Sequence, residues 1–145
     1  MKLDYLQALK RVDEARGAWI LHGQEPLLEQ NIIDAFRKSW IEHQIERERY
    51  DINSVSDWKN VFNALNSLSL FSQNLAIEVH GNIKPDAHAL KLLKNYIQHN
   101  EHNLLVVIMP KQDSSSLKSA FFQTVEANGV IVALTANYAQ DRQRI

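Results

Sequence analysis

Cysteine is missing from this 145-residue chain, which excludes disulfides, thiol nucleophiles and cysteine-ligated metals. Its absence fits a reducing compartment, and a cytoplasmic setting is expected. Glycine is scarce at 4 residues and proline at 3, and no internal repeat or low-complexity stretch is found. Neither sign of charge is in excess: 16 Lys and Arg face 17 Asp and Glu, for a net charge of -1 and a pI near 6.6. That balance argues against a free-standing electrostatic DNA binder. No apolar run approaches the roughly 20 residues of a membrane span. The N-terminal stretch MKLDYLQALKRVDEAR lacks the apolar centre of a signal peptide. What remains is 45% hydrophobic and 23% charged, the composition of an ordinary globular domain able to bury a core.

Periodicity supplies the layout. Residues 2–16 read as a helix, with Leu3, Leu6, Leu9 and Val12 in a narrow stripe and Gly17 placed to end it. The apolar run Ala18–His22 reads as a buried strand. Pro26 suits the first turn of a second helix, whose buried face is Leu28, Ile32, Ala35, Phe36 and Trp40. Arg49–Ile52 reads as a short edge strand, and Ser56 is placed to cap the helix that follows. Leu75–His80 is a further strand, after which Pro85 and Asp86 open a helix with Leu90, Leu93 and Ile97 on one face. Leu104–Met109 is apolar throughout, as in the middle of a parallel sheet. Serines in Pro110–Ser116 can cap the next helix, which carries Leu117, Phe121 and Val125 and ends at Asn128-Gly129. Val130–Thr135 is the last strand. The fold class expected is therefore α/β, three-layered, with a mostly parallel five-stranded sheet and helices on both faces. The domain is expected over residues 1–138, and the polar tail Ala139–Ile145 reads as the start of a linker or following domain, cut off.

Sheets of this kind bind ligands beyond the carboxyl ends of their strands, which points to the turn His22–Gln30. A phosphate cradle needs several glycines and a lysine followed by serine or threonine. This turn offers Gly23 alone, with no lysine and no hydroxyl residue. Gly23 is read as serving the strand-to-helix turn, and no cofactor is expected. The histidines (His22, His43, His80, His88, His99 and His102) are scattered without metal-ligand spacing, so no metal is expected either. Glu78 interrupts an apolar strand and is expected at the sheet edge or paired with a base. Lys111 and Asp113 read as solvated loop residues. Nothing marks a nucleophile elbow around any serine, so no catalytic residue is assigned.

The stretch the chain is organised around is Asp57–Phe71. Trp58, Val61, Phe62, Leu65 and Leu68 follow one another at spacings of three and four, one face of an amphipathic helix. Leu70 and Phe71 then stand side by side, and adjacent helical residues point about 100° apart. Either the chain turns there and tucks one of them inward, or the pair forms an apolar knob for a partner. Burial as core is the commoner fate of large apolar residues. As a knob, one Leu and one Phe would contribute about 3–6 kcal/mol of gross transfer energy, from which association entropy subtracts much.

Four segments, WILHGQEPLLEQ (Trp19–Gln30), Asp57-Trp58 with its helix, SLSLF (Ser67–Phe71) and LLVVIMPKQD (Leu104–Asp113), together resemble the N-terminal domain of bacterial DNA polymerase III delta subunits. The resemblance runs over essentially the whole chain. It implies a core like that of AAA+ and P-loop NTPases but lacking the P-loop, without catalysis of its own, in a subunit of the polymerase holoenzyme, a nucleotidyltransferase. It implies binding to the beta sliding clamp through a plug made of Leu68, Leu70 and Phe71, with Ser67 and Ser69 as spacers, and opening of that clamp for loading onto primed DNA. Asn66 departs from the glutamine often found before such a plug. Other loader subunits would be met through domains absent here, DNA only within the assembled loader, and no membrane. A small α/β nucleotide-binding enzyme or an unrelated protein-binding adaptor are the alternatives.

Overall fold

The computed structural model describes residues 1–69, 74–99 and 102–135, with the backbone alone for 66–69. Among these residues six strands, β1 (Lys2–Leu3), β2 (Gly17–Gly23), β3 (Glu46–Ile52), β4 (Leu75–Gly81), β5 (Leu104–Met109) and β6 (Val130–Leu134), form one sheet in the order β1-β6-β2-β5-β4-β3. Every pairing is parallel. The helices are α1 (Tyr5–Leu9), α2 (Pro26–Glu42), α3 (Asp57–Ser69), α4 (Ala87–His99), α5 (Ser114–Leu117) and α6 (Ala120–Asn128). β5 lies between β2 and β4, and all its residues are buried, which is why its sequence is apolar without alternation.

Strand alternation divides the core into two layers. Ile20, Ile77, Val79, Leu105 and Val107 face α3, α4 and α6. Trp19, Leu21, Ala76, Val106, Ile108 and Val132 face α1 and α2, where Trp19 meets Phe36 edge-on at 5.4 Å. Helix starts are fixed by side chains: Asp113 accepts the Ser116 N–H at 2.7 Å, and Asp86 accepts that of Ala89 at 2.8 Å. Ser119 caps α6, and Gly129 ends it.

The amino terminus departs from expectation, and with it the strand count. Residues 2–16 are not one helix but β1, α1 and a 3-10 turn at Val12–Glu14. Asp4 caps α1 through the Gln7 N–H at 2.8 Å, while the Gln7 side chain accepts the Asp4 N–H at 3.0 Å. That reciprocal cap frees Lys2 and Leu3 to extend along β6, opposite Ile131 and Val132. Leu3 is buried by this sheet contact, not by a helical stripe. Gly17 does not close a helix; its φ of 80° turns the chain into β2. The strand expected at 49–52 is longer and begins at Glu46.

Candidate functional site

α3 is anchored at its start and along its buried face. The Asp57 carboxylate accepts the N–H groups of Asn53 and Ser54 at 2.8 and 3.0 Å, and these bonds hold its carboxyl below the usual range. Ser56, the expected cap, pairs its hydroxyl with that of Ser54 instead, at 2.9 Å. At the second residue of α3, Trp58 donates its Nε1–H to the Ile83 carbonyl at 2.8 Å. Its ring stacks on Phe62 and meets Phe121 edge-on, with centroids 5.9 and 5.8 Å apart. Such pairs add about 0.5–1.5 kcal/mol each beyond burial. Trp58, Val61, Phe62 and Leu65 are all buried, so four of the five stripe residues read from the sequence are core.

The α3 backbone carries Ser67, Leu68 and Ser69 as its last residues. The side chains of these three, and all of Leu70 and Phe71, lie outside the described residues. Just before β4, the Asn74 carbonyl accepts the Glu46 N–H at the first residue of β3. Asn74 therefore lies at the amino-terminal ends of β3 and β4.

The opposite end of the sheet holds a cleft of about 450 Å³, lined by Gly23, Glu25, Pro26, Glu29, His80, Asn82 and Met109 among others. This is the position expected of a ligand in a parallel sheet, but its chemistry does not suit a polyphosphate. Among the described residues no lysine or arginine lines it, and two glutamates do. Pro26 occupies the first position of α2, where it has no N–H to offer. Gly23 is accounted for by β6: a Cβ there would stand 2.4 Å from the Leu134 carbonyl oxygen.

The histidines at the strand ends do not converge. His22 packs edge-on against Phe122 at 5.6 Å, and burial lowers its pKa. His80 lies on the α2 face, its Nε2 2.6 Å from Glu78 Oε2. Among the described residues, no group of three or more His, Cys, Asp or Glu could hold a metal. Lys111 is exposed, and Asp113 is the cap of α5.

Glu78 proves to be paired with bases, as one of its two expectations had it. It is 1% exposed and receives Arg37 from α2 and Arg47 from β3. Sequence reasoning marked Glu78 but not its partners. The available signal was one acid in an apolar strand, which requires a cation nearby, but either of two separate elements could have supplied it.

In Bacillus subtilis, the DNA clamp loader delta protein has a similar structure, with a TM-score of 0.67 at 13% identity, covering 97% of this chain and 45% of that one. A DNA polymerase III gamma subunit-related protein of Thermotoga maritima gives 0.58 at 9% identity, covering 94% and 48%. Rhizobiales Trip13 gives 0.57 at 15%, covering 92% and 51%. These likenesses show a shared fold, and the chain spans about half the length of each structure. No curated protein matches. No helix among the described residues is long and apolar enough to cross a membrane. The family model for the DNA polymerase III delta subunit matches residues 19–135, from β2 through β6, and the chain belongs to that family.

Proposed function

We propose that this chain is the clamp-engaging part of a clamp-loader delta subunit, and that Leu68, Leu70 and Phe71, spaced by Ser67 and Ser69, form an apolar plug for a groove on the beta sliding clamp. One observation carries the reading: in a chain of this family, the buried stripe of α3 reaches Leu65, and three more large apolar residues follow before β4 begins. Asp57 and Trp58 fix the helix to the sheet, so force applied at its end passes to a rigid body. A protein that binds the open ring better than the closed one shifts the ring toward opening by no more than that difference in affinity. No hydrolysis by this chain is needed, and the acidic cleft supports an assignment without catalysis. ATP acts through other subunits of the loader, DNA is met within the assembled loader, and the setting is cytoplasmic.

The test is binding to purified sliding clamp by surface plasmon resonance. Leu70→Ala with Phe71→Ala is expected to abolish binding while stability stays within about 1 kcal/mol, as for exposed positions. A large loss of stability in the double variant would instead make the pair core and overturn the assignment.

A further inference from the structure

β4 is held from both sides where it begins. The β4–β5 ladder starts at Ala76, opposite Leu104, which leaves the N–H of Leu75 one residue outside it. Leu75 is 1% exposed, and a buried N–H without an acceptor is costly. The acceptor is a side chain: Asn103, just ahead of β5, takes the Leu75 N–H on its Oδ1 at 2.9 Å. On the other side the Asn74 carbonyl accepts the Glu46 N–H of β3 at 3.3 Å.

Asn103 is itself fixed. Its carbonyl accepts the Gly17 N–H of β2 at 2.9 Å, and the Gly17 carbonyl accepts the Tyr96 hydroxyl of α4 at 3.0 Å. One residue, 2% exposed, therefore serves β2 with its main chain and β4 with its side chain. A buried amide is unfavourable unless hydrogen-bonded, and this one is placed at the strand start that follows the segment assigned to the clamp.

Only Ser72 and Gln73 separate Phe71 from Asn74 in sequence, so where the sheet takes hold of the chain limits the positions open to the residues before it. We propose that Asn103 is a positioning residue for clamp engagement: by fixing Leu75, it sets the carboxyl-terminal foot of the clamp-docking segment. The inference rests on the clamp assignment and adds to it a residue buried too deeply to meet the clamp itself. A binding segment whose foot is fixed loses less conformational freedom on association. If the foot frays, the binding-competent fraction falls, and apparent affinity falls with it. That loss is one of association rate, whereas lost contacts speed dissociation.

The experiment immobilises the whole chain and passes purified sliding clamp over it, so that unfolded molecules lower the signal but not the rate constants. Asn103→Leu keeps the size of the side chain and removes its acceptor. Hydrogen exchange at the Leu75 amide is expected to quicken at least about tenfold relative to that at Val79. Association with the clamp should slow at least about fivefold, with dissociation within about twofold of wild type. Glu46→Pro removes the N–H on the other side, at the first residue of a strand, where proline is tolerated. It should slow association at least about twofold, and it decides the question if Asn103→Leu does not fold. The inference is overturned if the folded variant associates as the wild type does, or if the loss lies in dissociation. Leu70→Ala with Phe71→Ala is run beside them. If that double variant binds as the wild type does, the clamp assignment fails and this inference with it; if it alone loses binding, only the role of Asn103 is lost.

Discussion

Arg37 on α2 and Glu78 on β4 meet through two parallel hydrogen bonds, Nε to Oε1 at 3.1 Å and Nη2 to Oε2 at 2.8 Å. Arg47 adds a second cation, its Nε 3.2 Å from Oε1, so one buried carboxylate fastens a helix and the edge strand to the sheet. Removing the carboxylate charge leaves two guanidiniums facing each other over an apolar layer. Glu78→Gln is expected to lower stability by about 2–3 kcal/mol, measured as a shift in the urea midpoint. Arg37→Ala should cost less, about 1 kcal/mol, because Arg47 and His80 still reach the carboxylate and Arg37 itself is partly solvated.

The same cluster fixes a pH dependence. Burial alone would raise the Glu78 pKa, but hydrogen bonds from His80, Arg37 and Arg47 outweigh it and hold the carboxyl well below its ordinary value. A glutamate in the unfolded chain titrates near ~4.3. With the folded value the lower of the two, the stabilisation is present above the unfolded pKa and is lost as pH falls toward the folded one. The stability gap between wild type and Glu78→Gln should therefore narrow as pH drops from about 5 to about 3. Urea titrations of both proteins across that range check it, and a gap that stays constant would mean that the carboxylate gains nothing from its cations.

Two glycines at the ends of β2 serve different needs, and alanine separates them. At Gly17 a Cβ would meet nothing within 4 Å, but the φ of 80° is unfavourable for a side chain. At Gly23 a Cβ would press on the Leu134 carbonyl at 2.4 Å and its Cβ at 2.8 Å. Gly17→Ala is expected to cost about 1 kcal/mol, and Gly17→Asn less, since asparagine tolerates the left-handed region. Gly23→Ala should cost up to about 3 kcal/mol, because β2 and β6 must part. Thermal unfolding of the three variants checks the assignment, with the loss expected to rise from Gly17→Asn through Gly17→Ala to Gly23→Ala.

How much of this was open to reading differs by element. β2, β4, β5 and β6 announce themselves as short apolar runs buried on both faces, and α2, α3, α4 and α6 as apolar stripes with the period of a helix. β1 does not, because two residues carry no period. Leu3, Leu6, Leu9 and Val12 mimic a stripe although Leu3 is buried by a strand contact with β6. The signal that was available is Asp4 followed by Gln7, a capping box that starts the helix at Tyr5 and leaves Lys2 and Leu3 outside it. At the candidate site, the anchored half of α3 was legible from spacing. Arg37 and Arg47 were not, since ion pairs between separate elements leave no local pattern.

Leu65 offers the control that separates core from contact. It is buried between α3 and the sheet, one turn before the segment assigned to the clamp. Leu65→Ala removes a filled side chain from a packed layer and is expected to cost about 2–5 kcal/mol. Its effect on clamp affinity, corrected for the folded fraction, should be under about twofold, because the contacts it breaks are internal. Leu70→Ala with Phe71→Ala is expected to do the reverse, losing affinity while keeping stability. Urea unfolding and clamp titration of both variants give two numbers for each. If Leu65→Ala reduced affinity per folded molecule as strongly as the double variant does, the end of α3 would depend on the core beneath it, and the rigid-helix account of clamp opening would fail.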